Sequence, residues 1–143
     1  MKPIRILTVL LTIILTFSSC IKDKEGDADQ YVGIYKVSVV QNVTWGGSSS
    51  TLTDSGTITI TKLSSNQIQV RGYFSTNGRV SGNTVYFESM SSSDEAGNIN
   101  TVFDAGIYNG GIITVNATRT GQLRNNGVLY PFTSIDRMTI IKQ

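Results

Sequence analysis

Apolar and polar residues alternate with a period of two along most of the chain from residue 31 onward. In the first such stretch, residues 31–45, the odd positions include Tyr35, Val37 and Trp45. Because side chains of a strand point alternately to its two faces, the pattern predicts a long β-strand with its odd positions inward. Gly33 within this strand indicates a bend or a close backbone approach.

The same alternation predicts further short strands separated by turns. A strand over 57–63 with Ile58 and Ile60 inward is followed by a strand over 67–74, and together they form a hairpin. In the second strand the inward residues are Ile68, Val70 and Phe74, and the outward ones are Gln67, Gln69, Arg71 and Tyr73. Other strands are expected at 79–81, 84–90, 99–108, 112–119, 128–132 and 135–142. Loops or turns are expected at 46–56, 64–66, 77–78, 82–83, 91–98, 109–111 and 125–127.

These elements place the chain in the all-β class. No segment has a helical period, and the abundance of Thr, Ser, Val and Ile with 14 Gly is typical of strands and tight turns. We expect residues 31–143 to form one antiparallel up-and-down barrel of about eight to ten short strands. A β-sandwich is the alternative.

The first residues follow a different pattern. Lys2 and Arg5 precede an apolar run, Ile6 to Phe17, which is shorter than the roughly 20 residues that span a bilayer. A positive start, a short apolar core and small residues after it predict a secretory signal peptide over residues 1–19. Residues 20–30, rich in charge and without periodic apolar positions, are expected to be a flexible tether.

Phe17-Ser18-Ser19-Cys20 resembles the lipobox of bacterial lipoproteins, although Phe17 stands where that family usually has Leu. The resemblance implies cleavage before Cys20 and acylation of its sulfur and amino group with fatty acids such as palmitate. Several acyl chains anchor a protein stably in a membrane. The acidic tether resembles the signal that sends some Bacteroidetes lipoproteins to the outer face of the outer membrane. It implies an outer-membrane location, with periplasmic or cell-surface exposure left open. An ordinary cleavage site followed by a free thiol is the alternative.

Removal of the signal peptide changes the charge of the protein. Without Lys2 and Arg5, the basic residues equal the ten acidic ones. The remaining arginines are scattered rather than clustered, so no nucleic-acid partner is expected. Cys20 is the only cysteine, which excludes an internal disulfide.

The sequence also narrows the chemistry that is available. It contains no His, so the commonest general base and a Ser-His-Asp triad are absent. Three carboxylates in predicted strands could form an acid/base pair if two of them faced inward: Glu88, Asp104 and Asp136. Four oxygen donors in one polar loop lack the spacing of a calcium site: Asp94, Glu95, Asn98 and Asn100. We predict no enzyme activity, no metal and no cofactor.

The domain resembles the small lipocalin-like lipoproteins of Bacteroidetes in three features. It begins with Gly33-Ile34-Tyr35, continues as a meander of strands, and ends with Ile135-Asp136-Arg137-Met138-Thr139-Ile140. In lipocalins a Gly-x-Trp in the first strand is covered by a basic residue near the last. The resemblance implies that Gly33 allows a bend, Tyr35 plugs one end, and Arg137 lies over Tyr35. It also implies a barrel whose open end binds a small apolar molecule. Tyr in place of Trp, and the short domain, depart from the family.

Two functions follow as alternatives. The first is a lipid-anchored, non-enzymatic barrel that binds a small hydrophobic or glycan-type ligand; its candidate lining residues are Trp45, Tyr35, Phe74, Phe87 and Phe103. Trp45, beside Gly46-Gly47, is expected at the mouth, where it could stack on a ligand. The second is an accessory protein of an envelope complex, in which the same aromatics fill the core and no ligand binds.

Overall fold

The computed structural model describes residues 28–143, which form one short 3-10 helix and ten β-strands. The helix spans Ala28–Tyr31. The strands are β1 Gly33–Trp45, β2 Ser48–Ser64, β3 Gln67–Gly72, β4 Thr76–Ser81, β5 Thr84–Phe87, β6 Met90–Asp94, β7 Gly97–Phe103, β8 Gly106–Asn109, β9 Ile112–Asn125 and β10 Val128–Lys142. Within this range no helix has the length and apolar character needed to cross a membrane. The predicted signal peptide, Cys20 and the tether as far as residue 27 lie outside the described residues.

All strand pairings in the sheet are antiparallel, and the sheet closes on itself. Eight strands form a ring in the order β10-β1-β2-β3-β4-β5-β8-β9, and β9 pairs back onto β10. β7 and β8 lie one after the other along β9, and β6 pairs with β7. The predicted all-β fold with an antiparallel meander is therefore confirmed, and the ring is the closure expected of a barrel.

The two ends of the barrel differ in construction. At one end, which we call the closed end, all eight strands of the ring are present. Toward the other end β3, β4, β5 and β8 have already stopped, and the wall consists of β2-β1-β10-β9-β7-β6. Pairing of β2 with β3 begins at Ile58, and Thr57 O accepts from the Tyr73 backbone N–H at 2.9 Å. Residues 48–56 therefore form a free edge of this half, and β6 forms the other. We call this half the mouth.

Buried apolar side chains fill the closed end. The inward positions of the strands supply Tyr35, Val37, Ile58, Ile60, Ile68, Val70, Val80, Val85, Ile113, Val115 and Ile140. The predicted inward positions of residues 31–45, 57–63 and 67–70 are confirmed. Along each of these strands the less exposed residues are every second one, and they are the ones predicted to point inward.

The 3-10 helix Ala28–Tyr31 covers the closed end. The Ala28 backbone N–H donates to Ser65 O at 3.0 Å, and the Tyr31 hydroxyl donates to Gly82 O at 2.8 Å. The Tyr35 hydroxyl, inside the barrel, donates to Tyr31 O at 2.8 Å. Residues 28–30, which the sequence placed in the tether, are thus part of the folded domain.

Two segments predicted as loops are strands. Residues 46–56 were expected to be a loop because of their Gly and Ser content, yet only Gly46 and Gly47 form the turn, with φ values of 56° and 83°. The rest joins β2 and pairs with β1, where Thr51 Oγ1 donates to Asn42 Oδ1 at 3.0 Å. Residues 91–98 likewise form a hairpin of β6 and β7 rather than a polar loop.

The turn predicted at residues 77–78 is also wrong. Both residues belong to β4, and the chain reverses at residues 73–75 instead. A Cβ on Gly78 would lie 3.2 Å from Tyr86 O and 3.3 Å from Ile68 Cγ1. Glycine at this position therefore allows close packing between neighbouring strands and does not mark a turn.

Candidate functional site

A cavity of about 230 Å³ opens at the mouth of the barrel. It lies between the inner face of the six-stranded half and the connection between β3 and β4. Its lining residues are Val39, Gln41, Tyr73, Phe74, Met90, Ser92, Ile99, Thr101, Phe103, Arg119, Asp136 and Met138. The walls are mostly aromatic and aliphatic, and one charged pair lies among them.

Three phenylalanines form one side of this site. The ring centroid of Phe74 lies 5.8 Å from that of Phe87 and 5.5 Å from that of Phe103, and Phe87 and Phe103 are 5.5 Å apart. Phe74 and Phe103 line the cavity, whereas the buried Phe87 packs behind them. These distances are those of favourable aromatic pairs. The structure thus brings together three of the five aromatics that the sequence proposed as ligand contacts.

An ion pair lies on the strands next to Phe103, since Phe103 of β7 and Asp136 of β10 both pair with Ala117 of β9. Arg119 Nε is 2.7 Å from Asp136 Oδ2, and Arg119 Nη2 donates to Asp136 Oδ1 at 3.3 Å. The Nε–H does not have hydrogen-bond geometry toward Oδ2, so that contact is electrostatic. The Ser134 hydroxyl donates a short hydrogen bond to Asp136 Oδ1. The guanidinium carbon of Arg119 also lies 5.6 Å from the Phe132 ring centroid, which is within cation–π range.

Strand register explains why these side chains meet. Arg119 of β9 is directly opposite Ser134 of β10, and Asp136 is two residues further along the same face. Ser134 and Asp136 occupy inward positions between Phe132 and Met138. Burial of polar groups in such positions requires partners, and β9 supplies one. Asp136 was predicted as a candidate carboxylate, but its pairing with Arg119 was not predicted; the signal was Ser134-x-Asp136 at inward positions of an otherwise apolar face.

Tyr73 covers part of the mouth. Its hydroxyl donates to Asp54 Oδ2 at 2.8 Å, and its ring packs on Gly56, where an added Cβ would lie 2.5 Å from Tyr73 Cδ2. Burial, followed by the bond to Asp54, raises the pKa of Tyr73 to about 12. The prediction that Tyr73 points outward is wrong, because Gly72, with φ 129°, bends the strand and places both Tyr73 and Phe74 on the cavity.

The other two proposed contacts lie elsewhere. Tyr35 is buried in the closed end, and burial raises its pKa above the ordinary range. Trp45 is at the tip of the β1–β2 hairpin, with its ring edge-on to Tyr130 at 6.3 Å. The Trp45 indole nitrogen is buried and has no hydrogen-bond partner within residues 28–143. Neither aromatic lines the cavity.

The predicted closure contact is made by a different cation. Arg137 is exposed on the outer face of β10. Lys142 lies over Tyr35 instead, with Nζ 5.9 Å from the ring centroid, and Nζ also donates to Gln30 O at 3.2 Å. Gly33 has φ 152°, and a Cβ there would lie 2.8 Å from Lys142 Cε. Gly33 and Tyr35 therefore do take part in closing this end, together with Lys142 rather than Arg137.

The candidate acid/base carboxylates do not converge. Asp136 faces the cavity, whereas Glu88 and Asp104 are exposed. The pair of inward carboxylates that a hydrolase of this kind requires is therefore not formed by these three residues. In the β6–β7 hairpin, Asp94 Oδ1 accepts from the backbone N–H groups of Ala96 and Gly97 at 2.8 and 3.2 Å. No cluster of metal-ligating side chains occurs within residues 28–143.

A larger depression of about 610 Å³ lies on the outside of the barrel. Exposed residues of β4 and β5 and the residue after them, among them Arg79, Tyr86 and Glu88, form much of its lining. It contains no buried charged group, so the mouth cavity is the better-defined candidate site.

Comparisons of the chain with protein-family models, with curated proteins and with solved structures gave no match.

Proposed function

We propose that this chain is a lipid-anchored envelope lipoprotein whose barrel binds a small, largely apolar molecule at its mouth without transforming it. The observation that carries the proposal is the mouth cavity, which Phe74 and Phe103 line together with the Arg119–Asp136 pair. Ligand sites are commonly apolar with a few placed polar groups, and the mouths of barrels are frequent locations for them.

The size of the cavity restricts the ligand. Sites for drug-sized molecules measure roughly 300–1,000 Å³, and this cavity, at about 230 Å³, is smaller. It therefore suits a molecule of one ring, the end of a longer hydrophobic chain, or one residue of a glycan stacked on the aromatic wall.

The anchor is proposed from the sequence. Signal cleavage before Cys20 and acylation of that residue would hold the protein in the outer membrane, with the tether leading to Ala28. Since Ala28 lies at the closed end, the mouth would then face away from the lipid anchor. This arrangement leaves the cavity accessible to molecules in the surrounding fluid.

A second candidate function is an accessory role in an envelope complex. It is favoured by one observation, namely that the closed half of the barrel is filled by large buried side chains from Tyr31 to Ile140. A filled barrel needs no ligand, and its outer face would then contact a partner protein.

Native mass spectrometry of the protein purified from its own host separates the two functions. Ligand binding predicts a co-purifying small molecule. Ser92→Trp, on the edge strand β6 at the cavity, should remove that mass. Ser91→Trp is the matched control, since Ser91 is the adjacent residue and does not line the cavity. A bare mass for the unmodified protein would favour the accessory role.

The anchor has a separate test. Cys20→Ala should release the protein from the membrane fraction, and metabolic labelling with palmitate should be lost. If the variant stays with membranes and remains labelled, acylation at this residue is excluded.

A further inference from the structure

Resting on the binding function proposed above, we infer that the mouth cavity selects an uncharged ligand whose inner end carries a hydrogen-bond acceptor oxygen, such as an amide or ketone carbonyl. The inference comes from which polar atoms of the cavity are already satisfied by the protein and which are not.

Each acidic group near the cavity is already engaged by a protein group, Asp136 Oδ2 through an electrostatic contact and the other three carboxylate oxygens through hydrogen bonds. Asp136 Oδ1 accepts from Ser134 and Arg119, and Oδ2 contacts Arg119 Nε. At the rim, Asp54 Oδ2 accepts from Tyr73, and Oδ1 accepts from the Ser55 backbone N–H at 2.7 Å. A cationic ligand would therefore have to break one of these contacts to gain an acceptor.

Besides Gln41, whose amide offers both an acceptor and donors, the cavity wall offers hydrogen-bond donors that no protein group engages. Arg119 has five N–H donors, and its Nη1 makes no hydrogen bond to any residue from 28 to 143. The Thr101 hydroxyl, on a side chain that is largely buried, likewise has no protein partner in that range. Neither atom is fully buried without a partner, a condition met within residues 28–143 only by Trp45 Nε1 and Arg119 Nε. An acceptor oxygen placed between Nη1 and the Thr101 hydroxyl would therefore take the place of solvent at both donors.

Charge distinguishes a neutral acceptor from an anionic one. Asp136 already neutralises Arg119 at 2.7 Å, and Asp54 at the rim adds a negative charge. A carboxylate or phosphate entering the cavity would lose its hydration without meeting a net positive charge. A carbonyl group has a smaller desolvation cost and accepts the same hydrogen bonds.

Cavity shape supplies the rest of the ligand description. An apolar cavity of about 150 Å³ holds benzene, so about 230 Å³ holds one ring with a small polar substituent. The ring would lie against Phe74 and Phe103, and the substituent would reach Arg119 and Thr101. Benzamide, benzoate and benzylammonium are probes of matched size that differ in charge.

The test is the binding of these three probes to the purified full chain by ligand-observed NMR titration. We expect benzamide to bind at least tenfold more tightly than benzoate or benzylammonium. In Asp136→Asn, which leaves Arg119 uncompensated, the order of benzamide and benzoate should reverse. Asp104→Asn removes an equal charge from the exposed outer surface and should leave the order unchanged.

A second variant keeps the test independent of the ion pair. Thr101→Val preserves side-chain shape and removes one donor, so it should weaken benzamide by about three- to tenfold. Tighter binding of benzoate or benzylammonium than of benzamide by the unmodified chain overturns the inference and leaves ligand binding intact. An unchanged preference in a folded Asp136→Asn variant also overturns it. If no probe binds any variant, both the inference and the proposed binding function are overturned.

Discussion

Two ion pairs within residues 28–143 allow the effect of burial on a salt bridge to be measured. Arg119–Asp136 and Lys62–Asp29 both have a closest N···O distance of 2.7 Å. The side chains of the first pair are 25% and 6% exposed, whereas those of the second are 38% and 63% exposed. The closest distance is therefore the same in both pairs, whereas solvent access differs, as do the cation and the hydrogen bonds it makes.

Coulomb's law sets the scale of the difference. At 2.7 Å, two unit charges attract by roughly 6 kcal/mol at an effective dielectric constant of about 20 and by roughly 1.5 kcal/mol in bulk water. Desolvation offsets part of the first value. We expect a coupling free energy of about 2–4 kcal/mol for Arg119–Asp136 and about 0.2–1 kcal/mol for Lys62–Asp29.

Two double-mutant cycles measure these values. One combines Arg119→Met with Asp136→Asn, and the other combines Lys62→Met with Asp29→Asn. Urea unfolding at pH 7 is followed by circular dichroism and by fluorescence of Trp45, the only tryptophan. Coincident transitions justify a two-state treatment. Arg119→Met alone should destabilise the fold most, because it leaves Asp136 charged and buried. A coupling for the buried pair no larger than that of the surface pair would refute the reasoning.

Three further predictions concern other parts of the barrel. Burial, and then the nearby Tyr108, raises the pKa of Tyr31 from 10.0 to about 12. The stability contributed by the protonated Tyr31 is therefore present below pH 10 and is lost as the pH rises toward 12. When the free energy of unfolding is measured against pH, Tyr31→Phe should remove about 2–3 kcal/mol of this alkaline loss. Gly56→Ala should displace the neighbouring tyrosine ring, cost about 1–3 kcal/mol and move the pKa of Tyr73 down in a spectrophotometric titration; an unchanged titration would contradict the packing described here. Ile140→Ala should lower the free energy of unfolding in urea by about 2–5 kcal/mol, because Ile140 is buried. Ile135→Ala, at an exposed position of the same strand, should lower it by less than about 0.5 kcal/mol. Equal losses would mean that the inward face of β10 is misassigned.

Alternation of apolar residues was sufficient to predict the fold class and the inward face of most strands. It succeeded where one face is buried, as at Val37 and Ile58, because burial and period then agree. It failed at residues 46–56, where both faces are polar. The Ser and Thr side chains there resemble a loop in composition, and only pairing with β1 makes the segment a strand. The local signal was Gly46-Gly47, which forms the two-residue turn of the β1–β2 hairpin, but the polar run after it resembles a loop.

The site was less predictable than the fold. Phe74, Phe87 and Phe103 were identified as candidates because large aromatics at inward positions either fill a core or line a cavity. Arg119 and Asp136 were not paired, since their contact depends on the register of β9 against β10. Tyr73 was assigned to the outer face because the alternation rule assumes a regular strand, and Gly72 interrupts it.

The two free edges at the mouth affect how copies of the protein meet one another. Residues 48–56 of β2 and the strand β6 each have one edge with which no other strand of residues 28–143 pairs, and such edges in other proteins template aggregation. Both edges are rich in serine and poor in large apolar residues, and each carries a carboxylate, Asp54 in one and Asp94 in the other. Pairing between the edges of two molecules would bring like charges together and bury little apolar surface. The mouth can thus stay open without recruiting a second chain to complete the sheet.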